Sequence, residues 1–209
     1  LRASSTIIYS LERGCEFLVP VKTIKEAFAG KLDDSYLICG ERRCKKIKGF
    51  DLGNSPSEVL SRNIKGKKIL ITTTNGIKTI LKCASEQVTI ICGFLNNKAV
   101  VEYLSYNSED INIICAGSNK RPALEDVFCG GEVIHRLKKK KKCTLNDSAI
   151  IAESLYLHHK SNIRGLIINS RHAMNLKRLG YSSDIDLCLK QDISKIVPFY
   201  SNKIITNSR

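Results

Sequence analysis

Lys67-Lys68-Ile69-Leu70-Ile71, followed by Thr72-Thr73-Thr74-Asn75-Gly76 and then by a helix-like run over Ile77–Ala84, is the stretch that decides the fold. An apolar run of strand length passes into a turn of hydroxyl and amide residues, and the spacing then becomes helical. The same grammar returns twice. Val88–Cys92 (VTIIC) leads through Gly93 and Asn96-Asn97 into Lys98–Leu104, and Ile111–Cys115 (INIIC) leads through Ala116–Pro122 into Ala123–Leu137. Strands alternating with helices in units of this size predict an α/β protein, a layered α/β/α arrangement on a mixed or largely parallel sheet.

The helix starts agree. Thr23-Ile24-Lys25-Glu26 and Ser55-Pro56-Ser57-Glu58 both have the capping-box form, and Pro56 falls at the first helical position, where its missing N–H costs nothing. Asp33-Asp34-Ser35 reads as a turn, and the run Lys138–Lys142 as a solvated helix end whose charge complements the helix dipole. No repeat or linker divides the chain, so residues 1–209 are expected to form a single domain.

Composition excludes several classes of function. The chain has 209 residues, and 34 Lys+Arg against 20 Asp+Glu give a net charge of +14. A hydrophobic share of 43% is ordinary for a folded domain, so the charge does not signal disorder. Aromatic residues make up only 6%, Trp is absent and no basic stripe is interleaved with aromatics, which argues against nucleic acid as the partner. No apolar run approaches the roughly 18 residues of a membrane span, and no signal-peptide layout opens the chain; a cytoplasmic protein is expected. The nine cysteines are scattered without zinc-site spacing and read as reduced thiols packed as small hydrophobes. Met174 is the only methionine, so the chain reads as beginning inside an element.

Three turns suit an anion, because a helix start offers unpaired N–H donors and the positive dipole end. They are Arg2 with Ser4-Ser5-Thr6, Thr73-Thr74-Asn75-Gly76, and Gly53-Asn54-Ser55. Glu125-Asp126 opens the helix after Ile111–Cys115, where a carboxylate can hold a hard cation or act as general base. Two patterns compete with this. Asp184-Ile185-Asp186 has the look of an aspartate nucleophile, but Tyr181-Ser182-Ser183 before it do not form an apolar strand. Cys115 and Arg121 have the C-x₅-R spacing of cysteine phosphatases, although Pro122 stands where a hydroxyl would steady the thiolate. A cysteine-nucleophile phosphatase using Cys115 and Arg121, and a basic polyanion-binding module without catalysis, stay open as alternatives.

In order along the chain, Leu1-Arg2-Ala3-Ser4-Ser5-Thr6-Ile7, Gly40-Glu41-Arg42, Gly49-Phe50-Asp51-Leu52-Gly53-Asn54-Ser55-Pro56, Thr72-Thr73-Thr74-Asn75-Gly76, Gly93-Phe94-Leu95-Asn96, Cys115-Ala116-Gly117, Ala123-Leu124-Glu125-Asp126 and Val197-Pro198 resemble the 2-phosphosulfolactate phosphatase family of coenzyme M biosynthesis. The resemblance implies an α/β fold particular to the family and a magnesium-dependent phosphatase that converts (R)-2-phospho-3-sulfolactate to sulfolactate. It implies Arg2, Ser4, Ser5, Thr6, Arg42, Asn54, Ser55, Thr73, Thr74, Asn75 and Gly76 as substrate-binding residues. Glu125 and Asp126 would be catalytic, and would bind Mg2+ together with Glu41. Cys115 would pack a strand end rather than attack phosphorus. The partner expected is a small sulfonated phosphate ester, with neither nucleic acid nor membrane, and a homodimer is left open. In the family pattern an Asp stands two residues before the position of Leu1 with a strand leading into it, so this chain is expected to lack its first strand. Ile77 replaces the Thr that usually follows TTTNG.

Overall fold

A computed structural model describes residues 1–83, 88–107, 109–118 and 121–207. The chain enters through α1 (Arg2–Glu12), then β1 (Phe17–Pro20), α2 (Ile24–Gly30), β2 (Tyr36–Arg42), β3 (Lys45–Lys46), α3 (Pro56–Ser61), β4 (Lys68–Thr72) and α4 (Gly76–Lys82). A second half follows with β5 (Thr89–Ile90), a 3₁₀ turn at Phe94–Asn96, α5 (Asn97–Ser105), α6 (Leu124–Lys138), α7 (Asp147–His159), α8 (Ile163–Ile168), α9 (Arg171–Arg178) and α10 (Ser182–Cys188). The hairpin β6 (Phe199–Ser201) and β7 (Ile204–Thr206) completes it. Ala84 of the expected helix after TTTNG, and Asn119-Lys120 of the expected turn after INIIC, lie outside the described residues.

The seven strands run in the order β3-β2-β4-β1-β7-β6-β5. β4 pairs in parallel with both β1 and β2, with Ile71 opposite Pro20 on one side and Cys39 on the other. The pairings at both flanks are antiparallel, so the sheet is mixed.

Residue alternation along the central strands builds the layers. Leu37, Cys39, Ile69, Ile71 and Leu18 meet Ile7, Ile8 and Leu11 of α1, Val59 of α3 and Ile77 of α4 in the main core. Ile38 and Leu70 face the other way and pack with Ala27 of α2 and Phe50. The result is α/β/α layering. Both expected caps are present: Thr23 Oγ1 accepts from Glu26 N at 3.1 Å, and Ser55 Oγ accepts from Glu58 N at 3.3 Å with Pro56 behind it. The lysine run does end α6, where Lys138 pairs with Glu153 and Lys141 donates to the carbonyl of Asn107.

One expected strand is absent. Residues 111–115 form none, no described residue pairs with their backbone, and Ile113 and Ile114 are 38% and 60% exposed. They lie against α6, where Ile113 closes on Gly130, and they form one wall of a cavity that Thr89–Cys92 also line. Strand-forming residues make a strand only when a neighbouring ladder lies within reach, and here a cavity separates the two stretches.

Candidate active site

The parallel strands β2 and β4 end on the same edge of the sheet, which brings their C-terminal residues together. Glu41, near the end of β2, accepts from Thr74 N at 2.7 Å and from Thr74 Oγ1 at 3.0 Å, both in the turn after β4. It also accepts from Cys44 N at 2.7 Å. Arg43 and Cys44, which turn β2 into β3, both have positive φ (53° and 68°) without being glycine. That conformation costs of order 1–3 kcal/mol per residue and persists only where its surroundings impose it. Here Glu41 holds the Cys44 amide, Arg2 Nη2 donates to the Cys44 carbonyl at 2.9 Å, and Asn175 Nδ2 reaches its sulfur at 3.4 Å.

Glycine lets α1 approach these turns. A Cβ on Gly76 would come within 2.6 Å of the Ala3 methyl, and one on Gly93 within 2.9 Å of Ser4 Oγ. The start of α1 therefore sits among the other turns, with Ser4 and Ser5 hydroxyls both donating back to the Leu1 carbonyl. Beside the start of α1, α6 begins at Leu124 and sets Glu125 and Asp126 in its first turn. Asp126 accepts from Gly117 N at 2.8 Å through Oδ2, and its Oδ1 lies 3.4 Å from Leu1 N. Each oxygen keeps a second lone pair for another partner.

These elements enclose a cavity of about 1780 Å³. That exceeds the 300–1,000 Å³ of a typical small-molecule pocket, so one end of it suffices for a ligand. Arg2, Ser4, Ser5, Glu41, Asn54, Thr73, Thr74, Asn75, Gly76, Glu125 and Asp126 all line it. Thr6, Arg42 and Ser55 do not. Thr6 is buried in α1, Arg42 donates to the Glu41 carbonyl and to Thr72 Oγ1, and Ser55 caps α3 and donates to Asp184.

Six buried side-chain atoms have no hydrogen-bond partner among the described residues, and three of them, Arg2 Nε, Asn54 Oδ1 and Glu125 Oε2, belong to cavity residues. Glu125 is 4% exposed and Arg2 3%. A buried polar atom left unpaired costs about 1–3 kcal/mol, and three such atoms on residues lining one cavity suit a polar ligand that reaches them. Among the described residues no group of three or more acidic, His or Cys side chains is arranged to hold a metal ion. Glu125 and Asp126 are adjacent, whereas Glu41 has both oxygens engaged by Thr74 and Cys44.

The competing patterns fare differently. Cys115 lines the cavity in an exposed stretch, not packed at a strand end, and desolvation together with the Asp126 carboxylate pushes its thiol up to about 11. A nucleophilic cysteine needs the opposite shift. All nine cysteines are free; Cys15, Cys39 and Cys188 are buried as expected, and burial raises Cys15 to about 12. Asp184 and Asp186 lie on α10, with Asp184 fully buried and Asp186 paired with Arg164 at the surface.

Sequence reading missed Arg43 and the face of α9. Ser170, Arg171, His172, Asn175 and Arg178 line the cavity, and burial lowers the pKa of His172 so that its neutral imidazole is favoured. The only signal for them is that Ala173 and Leu176 are the buried positions of α9, which leaves its other face free.

Comparison with known proteins gives one answer. The family model described as 2-phosphosulpholactate phosphatase matches residues 1–203. Proteins named "Probable 2-phosphosulfolactate phosphatase" from Thermotoga petrophila and Thermotoga maritima are each 44% identical over 204 residues, covering 98% of this chain and 87% of theirs. A protein of the same name from Caldanaerobacter subterraneus subsp. tengcongensis is 35% identical over 212 residues, covering 100% of this chain and 88% of its own.

Proposed function

Since the chain belongs to the 2-phosphosulfolactate phosphatase family, we propose that it is a phosphoric monoester hydrolase that takes (R)-2-phospho-3-sulfolactate to sulfolactate and phosphate with magnesium, as a cytoplasmic step towards coenzyme M. The observation that carries this reading is the cavity lined by Arg2, Asn54, Glu125, Asp126 and the Thr73-Thr74-Asn75-Gly76 turn, whose Arg2 Nε, Asn54 Oδ1 and Glu125 Oε2 are buried and unpaired among the described residues. The substrate bears phosphate, sulfonate and carboxylate, and three separate turns are needed to tell it from a simple phosphate ester.

The residues divide the work as follows. Arg2 and the Thr73-Thr74-Asn75-Gly76 turn supply cationic and hydroxyl or amide donors for oxyanions, and Asn54 fixes orientation through its amide. Glu125 and Asp126 would hold the cation, since magnesium is commonly bound by one or two carboxylates together with substrate phosphate. Bound there, magnesium supplies charge neutralisation and polarisation of the transferring phosphoryl group. Asp126, with spare acceptor capacity on both oxygens, takes a proton from water as the water oxygen bonds to phosphorus and the bond between phosphorus and the ester oxygen breaks, and the departing sulfolactate oxygen takes up a proton from solvent. Glu41 keeps the Thr74 turn and the Arg43-Cys44 turn in place through its three hydrogen bonds.

Replacing Asp126 by Asn tests the assignment. Removing a general base costs roughly 10²–10⁴-fold in turnover, and the variant should lose that much while unfolding at the wild-type denaturant midpoint. Turnover at the wild-type rate would take Asp126 out of the chemistry.

A further inference from the structure

We propose that Asp184 and Tyr181 are positioning residues that fix the Arg2 guanidinium for an oxyanion of the substrate, an inference that rests on the phosphatase reading of the same cavity. Neither lines the cavity, and both come from the start of α10. Asp184 is 0% exposed and gathers four donors. Its Oδ1 accepts from Ser55 Oγ at 2.7 Å, Ser57 Oγ at 2.8 Å and Ser57 N at 3.2 Å, while Oδ2 takes Arg2 Nη1 at 3.3 Å. One carboxylate thus ties together two of the turns that suit an anion, the one at Arg2 and the one at Gly53-Asn54-Ser55.

The guanidinium is clamped from three directions. Asp184 holds Nη1, the carbonyl of the strained Cys44 turn holds Nη2 at 2.9 Å, and the Tyr181 ring lies 4.7 Å from the guanidinium carbon. Nε is left without a partner among the described residues. Had the pair served only to join α1 to α10, a bidentate contact would satisfy the fork more fully. Instead the Asp184 contact is single and long, and three donors already share the other oxygen. Arg2 therefore keeps both charge and a free donor, while the rotamer freedom that would blur its aim is removed.

The test is calorimetric titration with inorganic phosphate and, separately, inorganic sulfate, of the purified wild type and of Asp184→Asn, Tyr181→Leu, Arg2→Gln and the Arg2→Gln/Asp184→Asn double variant. Asp184→Asn and Tyr181→Leu should each weaken phosphate binding about tenfold, the scale of one charge-assisted contact. Arg2→Gln should weaken it at least as much, and Asp184→Asn should add less than twofold in the Arg2→Gln background. If Asp184→Asn does not fold, Tyr181→Leu decides, because it leaves the carboxylate and its serine donors untouched. Wild-type affinity in both α10 variants, or an Asp184→Asn loss of the same size with and without Arg2, overturns the positioning role alone. A wild type that binds neither anion overturns the phosphatase reading as well.

Discussion

At the scale of single residues, the chemistry turns on which group is poised to react. The raised Cys115 thiol, near 11, is more than three units above neutral pH and leaves almost no thiolate. Cys115→Ser should therefore turn over within twofold of wild type and remain sensitive to a chelator; a dead Cys115→Ser variant would restore the cysteine mechanism. Most of the expected residues that line the cavity were legible because each sits in a turn or helix start whose local chemistry is visible in a few letters, as in TTTNG or GNSP. Arg43, His172 and Arg178 were not. Their place in the cavity depends on α9 packing beside the β2–β3 turn, a contact between residues more than 130 positions apart, of which Asn175 with Cys44 is the visible mark. In the sequence Asp184 shows only as part of a failed aspartate-nucleophile pattern, since a helix position says nothing of the serines that reach it from another element.

At the scale of elements, helix starts were the most legible feature and isolated strands the least. Ser55 both caps α3 and donates to Asp184, so Ser55→Ala should cost about 1–2 kcal/mol in a urea titration, the upper part of the range for an N-cap. A loss under a few tenths would mean that the cap is idle. INIIC misled because strand propensity reports on the stretch and not on its neighbour, whereas KKILI succeeded with β1 and β2 both in register beside it. Helix α6 carries a pH prediction of its own. Burial raises the pKa of Glu132, against the opposing pull of Arg136 at 2.7 Å, and Asp192 raises it further. The folded chain thus keeps this proton to higher pH than the unfolded chain does. Stability should fall as pH rises from the ordinary carboxylate value through the raised folded one, then level off. Glu132→Gln should flatten that segment of the stability–pH curve; an unchanged slope would assign it to another group.

At the scale of the whole molecule, the charge of +14 is spread over several local environments. Lysines of the 138–142 run are drawn to Glu153, Glu102 and backbone carbonyls around the end of α6, while Arg2 is the buried cation set at the cavity. No helix among the described residues is long and apolar enough to cross a membrane. The layered sheet is what makes the site: parallel β2 and β4 deliver Glu41 and Thr74 to one edge, and the starts of α1 and α6 meet there. The most direct measurement is phosphate release by the purified protein from (R)-2-phospho-3-sulfolactate, with magnesium and again with chelator in excess. Magnesium-dependent hydrolysis at this site requires steady turnover with magnesium and loss of at least a hundredfold in chelator, on the scale of several kcal/mol of transition-state stabilisation. Release that proceeds equally in chelator, or no release with magnesium present, would contradict it.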